Sequence, residues 1–343
     1  MTEEMYKRLN DYLNDIFLEL NKTDKIFTDN LINFTIINNM VANKLGSKKI
    51  IVSRKENNLS FENIIELTCE ILQKINPSYV EIFKKIVMNG ELNFSYESEY
   101  DDSHCSVKIH DSKILKQEVN INRSFNYSDV TILIHEFIHY TNNGEIFSDV
   151  HSFLREFISI YFELFAVRYL VNNKNIDIEE ININSRIVSF LRNNDKFYNY
   201  IYILLAYENL GNINSKTKND IKNILHFEDD CFEKECISFL ENLDRINNKF
   251  PKPLAIQKMT EMVTKDYRYI VGTLLAYYAI ENCTLEDMVN LNQKFITGEY
   301  KNFDIDELLD DVGIDMNDNI VNKSIDIIDN SIHEYEREKI KWL

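Results

Sequence analysis

Two histidines separated by three residues, His135 and His139, lie in an otherwise apolar stretch of this chain, and Glu136 follows the first of them. In a helix, positions four apart lie about 40° apart around the axis and one turn along it, so both imidazoles can reach one metal ion. A carboxylate beside the first histidine can act as general base toward a water molecule that the metal acidifies. The spacing therefore predicts one zinc ion bound by His135 and His139, with Glu136 as a catalytic residue.

The neighbouring residues predict the helix that carries this pair. Ser128 is a candidate N-cap, and Asp129 lies in the first turn, where a negative charge is favourable. Apolar residues recur from Val130 to Ile138, which predicts a buried helix. Buried histidines need polar partners, and a metal ion supplies one.

A catalytic zinc ion takes three protein ligands and keeps one coordination position open. A second helix, predicted from Ser148 to about Val171, carries Glu156 and Glu163. These two glutamates are seven residues apart and share one helix face. His151, near the start of the same helix, is a further candidate. Spacing alone leaves all three open as the third ligand.

The composition predicts a mainly α fold. The 343 residues include only seven glycines and three prolines, and the apolar residues mostly recur at helical spacing. Three short runs alternate between apolar and polar residues (Glu91–Tyr100, Cys105–His110 and Lys116–Asn122), which predicts a small antiparallel sheet next to the metal-binding helix. No linker or repeat is evident. We therefore expect a single unit, residues 1–343, with an N-terminal helical part at 1–90 and a catalytic part at 91–343.

The charge and the apolar runs limit the partners. A net charge of −18 argues against nucleic acid as a partner. The most apolar run, from Tyr198 to Tyr207, is too short to span a bilayer, and the acidic, polar N-terminus is not a signal peptide. We expect a cytoplasmic protein that does not bind membranes. The oligomeric state is left open.

Three segments resemble one family of enzymes. Residues 119–136 are similar to a short strand, a polar turn and a helix start of the form D-V-x-T-L-x-H-E. Residues 147–163 are similar to S-D followed by F-V-x-E-x-x-S-x-x-x-E. Residues 267–272 and 307–316 are similar to a Y-x-Y-x-x-G helix and a closing E-L-L-x-x-x-G-x-D segment. In this order they resemble the zinc metallopeptidases of the thimet oligopeptidase and oligoendopeptidase F type.

The resemblance implies a helical gluzincin-type metallopeptidase that cleaves peptides. It selects Glu156 as the third zinc ligand and gives Glu163 a supporting role. It also implies that Tyr267 or Tyr269 donates to the oxyanion of the tetrahedral intermediate. The expected function is that of a zinc-dependent endopeptidase acting on short peptides.

Two other functions remain open. The chain is much shorter than typical members of that family, and a reduced N-terminal part could leave the cleft open to one intact protein. A catalytically silent zinc-binding protein is the other possibility. Glu136 argues against it, because a structural zinc site does not need this carboxylate.

Overall fold

Helices make up most of the protein, which confirms the mainly α prediction. The computed structural model describes residues 1–48, 50, 59–95, 103–110, 113–124, 126–142, 152–181, 183–214, 229–315 and 318–341. None of the helices in these ranges is both long enough and apolar enough to cross a bilayer.

The helices of the first half of the chain precede and follow a small sheet. They are α1 (Glu3–Thr23), α2 (Lys25–Asp29), α3 (Leu31–Leu45), α4 (Phe61–Ile75), α5 (Pro77–Met88), α6 (Ser128–Thr141) and α7 (Ser152–Lys174). The remaining helices are α8 (Ile178–Ile181), α9 (Ile183–Leu210), α10 (Asp229–Lys249), α11 (Lys252–Asn282), α12 (Leu285–Thr297), a 3-10 turn (Glu299–Asn302), α13 (Ile305–Asp310) and α14 (Asp318–Lys341).

The described residues fall into two compact units. The first takes Met1–Ser47 and Leu191–Ile270, and the second takes Lys48–Phe147, His151–Phe190 and Val271–Leu343. Helix α9 contributes to both, as does α11. That residues 1–343 act as one catalytic unit, with parts at 1–90 and 91–343, stays a prediction.

The core of the first unit surrounds a buried tyrosine. The ring of Tyr267 packs against Phe27 and Phe34, with centroids 4.7 and 4.8 Å away. Its hydroxyl donates a hydrogen bond to Asp24 Oδ2 at 2.8 Å. Asp24 ends α1 and is completely buried, and its other oxygen accepts from the backbone N–H of Phe27. The buried carboxylate therefore meets its donors within this unit.

The small sheet belongs to the second unit and consists of β1 (Leu92–Ser95), β2 (His104–His110) and β3 (Lys113–Asn122). β3 is central, with β2 antiparallel on one side and β1 parallel on the other. The predicted sheet is therefore present, but it is mixed and not antiparallel. Alternation indicates which face of a strand is buried and does not indicate the direction of the strand. Because β2 intervenes between β1 and β3 in sequence, the chain can return to pair β3 parallel to β1.

Helix α6 lies inside the second unit. It contacts α4, α7 and β3. Phe137, on the apolar face, packs edge-on against the rings of Tyr79 and Phe83 of α5. His135, Glu136 and His139 thus lie on a helix that is surrounded by other elements, as the apolar pattern predicted.

Candidate metal centre

The start of α6 is fixed by side chains that precede it. The helix begins at Ser128, so this residue is not the N-cap that the sequence predicted. Asn126 instead accepts a hydrogen bond from the backbone N–H of Ser128 at 2.9 Å. The Ser128 hydroxyl itself contacts the residues before the helix, because it donates to Asn126 Oδ1 and lies 2.7 Å from the Ser124 hydroxyl.

Asp129, in the first turn of α6, forms a buried ion pair. Its Oδ2 accepts from Arg123 Nε at 2.7 Å, and its Oδ1 accepts from the Ser124 backbone at 2.7 Å. The side chains of Arg123 and Asp129 are 4% and 0% exposed. A charge this deeply buried needs a partner of this kind. The pair fixes the N-terminal end of the helix, about 1.7 turns before His135.

Three buried side chains of the second unit converge. His135 Nε2 and His139 Nε2 are 3.1 Å apart, and Glu156 Oε2 lies 3.8 Å from the first and 3.6 Å from the second. A point equidistant from these three atoms lies about 2.0 Å from each, which matches the bonds of zinc to histidine nitrogen and carboxylate oxygen. These residues can therefore hold one metal ion.

The surroundings of Glu156 also fit a cation. Glu156 is 5% exposed, and its Oε2 has no hydrogen-bond partner among the described residues. The histidine nitrogens at 3.6 and 3.8 Å are too far for a hydrogen bond. Burial raises the pKa of the Glu156 carboxyl, but His139 and His135 outweigh burial and lower this pKa below its ordinary value. A buried carboxylate oxygen that lacks a hydrogen-bond donor is suited to bind a cation.

Glu136 is placed for a different role. It is 7% exposed, and no hydrogen bond or ion pair joins its carboxylate to another residue that the structure describes. It follows His135 directly on α6. None of the described residues therefore engages its carboxylate, and its role as general base stays a prediction.

Glu163 contacts the other side of the same histidine. Its Oε2 lies 3.1 Å from His135 Nδ1, which is an ion-pair distance, although the two atoms do not form a hydrogen bond of normal geometry. Its Oε1 accepts a hydrogen bond from Arg186 Nε. Burial raises the pKa of the Glu163 carboxyl, but Arg186 and then His135 outweigh burial and lower this pKa. The two glutamates of α7 thus approach opposite nitrogens of the His135 ring, Glu156 at Nε2 and Glu163 at Nδ1.

Helix α11 supplies two more neighbours of this centre, Gly272 and Tyr277. The Gly272 backbone lies directly against Glu156. The Tyr277 hydroxyl is buried and has no hydrogen-bond partner among the described residues, and burial followed by the nearby charge of Glu163 raises its pKa. Gly272 belongs to the Y-x-Y-x-x-G motif. Arg186 and Tyr277 carry no sequence signal, since nothing distinguishes them from other arginines and tyrosines.

The two tyrosines predicted to act at the oxyanion do not belong to the second unit, which contains the triangle. Tyr267 and Tyr269 lie in the first unit. Tyr267 is 1% exposed and donates its hydroxyl to Asp24, whereas Tyr269 is half-buried. Their role at an oxyanion stays a prediction. His151 lies outside the described residues.

Comparison with known proteins finds similarity in structure alone. No protein-family model matches the chain, and no curated protein matches it. A protein provisionally assigned as an oligoendopeptidase F from Bacillus anthracis strain Ames is similar with a TM-score of 0.46 and 14% identity, over 97% of this chain and 57% of that one. A protein provisionally assigned as a peptidase from Chlamydophila abortus is similar with a TM-score of 0.48 and 17% identity, over 98% of this chain and 55% of that one. This chain therefore spans little more than half the length of either protein.

Proposed function

We propose that this protein is a zinc-dependent endopeptidase that hydrolyses short peptides. The observation that carries the proposal is the buried triangle of His135 Nε2, His139 Nε2 and Glu156 Oε2, with edges of 3.1, 3.6 and 3.8 Å. Glu136 follows His135 directly on α6, and no bond joins its carboxylate to another described residue. A purely structural zinc site is closed by four protein ligands and does not need an additional carboxylate as a base.

Each residue has a distinct role in this proposal. His135, His139 and Glu156 hold the zinc ion, which when bound acidifies a water molecule and polarises the scissile carbonyl group. Glu136 takes a proton from the attacking water as the water oxygen bonds to the carbonyl carbon. The same proton then passes from Glu136 to the leaving amine nitrogen as the carbon–nitrogen bond breaks. Tyr267 or Tyr269 remains the proposed oxyanion donor, and because the Tyr267 hydroxyl already donates to Asp24, Tyr269 is favoured.

Metal content and chelation test the proposal. The purified protein should contain about one zinc ion per chain and should cleave members of a random peptide library. A chelator should abolish cleavage, and added zinc should restore it. His135→Ala and His139→Ala should each remove the zinc. A folded, unchelated sample without metal would contradict the proposal, and so would cleavage that a chelator does not affect.

The size of the substrate needs its own measurement. Unstructured peptides of graded length are digested beside a panel of folded proteins, with Glu136→Gln as the inactive control for contaminating proteases. We expect cleavage of the peptides only. Equal cleavage of both groups would favour an enzyme that acts on intact proteins, and cleavage of neither by a zinc-loaded sample would favour a silent zinc-binding protein.

A further inference from the structure

One carboxylate connects α9 to the candidate metal ligand on α6. Glu163 Oε1 accepts a hydrogen bond from Arg186 Nε, and Glu163 Oε2 lies 3.1 Å from His135 Nδ1. The Glu163 side chain is 5% exposed, so protein contacts and not bulk water determine where its oxygens lie.

The Nδ1 contact matters for the nitrogen on the opposite side of the ring. A neutral imidazole carries one proton, and a carboxylate at Nδ1 favours the tautomer with the proton on that nitrogen. Nε2 then has its lone pair available, and Nε2 is the atom that lies 3.1 Å from His139 Nε2 in the triangle. The orientation of the ring and its tautomer therefore both depend on Glu163 staying in position.

We propose that Arg186 is a positioning residue for the candidate metal centre. It fixes the rotamer of Glu163, so that this carboxylate holds His135 with Nε2 directed toward His139 Nε2 and Glu156 Oε2. The assignment rests on the proposed function only in that the ion is taken to be zinc. Glu163 has several rotatable bonds, and its carboxylate contacts Arg186 with one oxygen and His135 with the other. The planar guanidinium donates in a fixed direction, which a flexible ammonium group does not.

Burial distinguishes this contact from an ordinary surface ion pair. In the same unit, Arg168 pairs with Glu281, and these side chains are 43% and 47% exposed. Exposed pairs of that kind contribute about 0–1 kcal/mol and fix no geometry. Arg186 is 38% exposed, but its partner Glu163 is 5% exposed and contacts a candidate ligand. Arg168→Gln is therefore a matched control, since it removes an arginine–glutamate pair that does not contact the metal centre.

Zinc affinity, measured against a competing chelator, is the first test. Loss of residues that orient a metal ligand typically lowers affinity about 10–100-fold. We expect that loss for Arg186→Gln, a smaller loss for Arg186→Lys and no change for Arg168→Gln. In a double-mutant cycle with Glu163→Gln, Arg186→Gln should add little, because both changes remove one connected contact.

The tautomer of His135 is the second test, and it needs no metal. In metal-free protein with 15N-labelled histidine, the long-range couplings of the ring nitrogens should show the proton on Nδ1. His135→Gln assigns the signal. Arg186→Gln should give a mixture of both tautomers, whereas Arg168→Gln should not. A residue that only stabilised the fold would leave this signature unchanged.

Each outcome decides the assignment. Wild-type zinc affinity in Arg186→Gln, an unchanged tautomer, or losses that add fully in the double mutant would each overturn it. If Arg186→Gln does not fold, Arg186→Lys decides: a partial loss of zinc affinity supports the role, and wild-type affinity overturns it. If the wild-type protein binds zinc but cleaves no peptide, the proposed function is wrong, whereas the positioning role of Arg186 is unaffected. If the wild type binds no zinc, the tautomer comparison alone decides.

Discussion

Gly272 of α11 lies against Glu156 of α7 so closely that a Cβ atom at position 272 would be 3.0 Å from the Glu156 Cβ and 3.0 Å from the Phe157 backbone nitrogen. Packed atoms do not tolerate contacts this short without moving. Only glycine therefore lets the two helices approach at this position. The glutamate that completes the candidate metal triangle is held in place by a neighbour that has no side chain.

Gly272→Ala should weaken zinc binding, because the added methyl group pushes Glu156 away from the two histidines. We expect a loss of about tenfold or more in zinc affinity, together with the cost of about 1–3 kcal/mol that overpacking usually brings. Gly313→Ala is the control. Its φ is +72° and nothing lies within 4 Å of an added Cβ, so it should cost about 1 kcal/mol through backbone strain and leave zinc affinity unchanged. Unchanged zinc affinity in Gly272→Ala would show that Glu156 is not a ligand or that α7 adjusts freely.

The two glutamates of α7 should differ in their effect on zinc affinity. Glu156 Oε2 lies 3.8 and 3.6 Å from the Nε2 atoms of His135 and His139, whereas Glu163 approaches His135 at Nδ1. Glu156→Ala removes a direct ligand and should lower affinity far more than the roughly 10–100-fold expected of Glu163→Ala. Competition with a chelator measures both. The reverse order would make Glu163 the ligand and would undo the resemblance at residues 147–163.

Glu136→Gln should abolish peptide cleavage without affecting zinc binding. The amide has the size of the carboxylate but cannot accept a proton from water, so zinc content and the free energy of unfolding should stay at the wild-type level while peptide turnover is lost. Elemental analysis, thermal unfolding and a peptide assay measure the three quantities. Near wild-type turnover would show that another residue is the general base.

Tyr267→Phe should test whether this tyrosine acts in the core or in catalysis. Removing the hydroxyl leaves the buried Asp24 carboxylate without one of its donors, so we expect the free energy of unfolding to fall by about 1–3 kcal/mol. Turnover, measured well below the melting temperature, should change little. A loss of about 10²–10³ in kcat with unchanged stability would instead identify an oxyanion donor. Tyr269→Phe is the companion variant, in which that kinetic loss is expected if Tyr269 is the donor.

Local patterns predicted the helices that carry the candidate metal ligands. His135 and His139 are four residues apart on one helix, so the helix alone brings them together. The position of Glu156 depends instead on how α7 packs on α6, and spacing left it equivalent to Glu163. The direction of β1 could not be predicted because alternation is the same for parallel and antiparallel strands. Arg186 could not be found either, since its contact with Glu163 spans 23 residues and follows no periodic pattern.

Helix α6 is held at both ends by contacts with other protein side chains. At its start, Arg123 pairs with Asp129 in a buried position. At its end, the Tyr140 hydroxyl donates to Glu91 at 2.8 Å, and the Tyr140 carbonyl accepts from Gln117 at 2.7 Å. In small zinc modules, folding and metal binding are one event, and a chelator unfolds them. Here the contacts at both ends of α6 hold the helix in position, so the protein should keep its fold when a chelator removes the zinc. It should then bind zinc again without refolding. The fraction of chains that hold zinc should therefore follow the concentration of free zinc in solution.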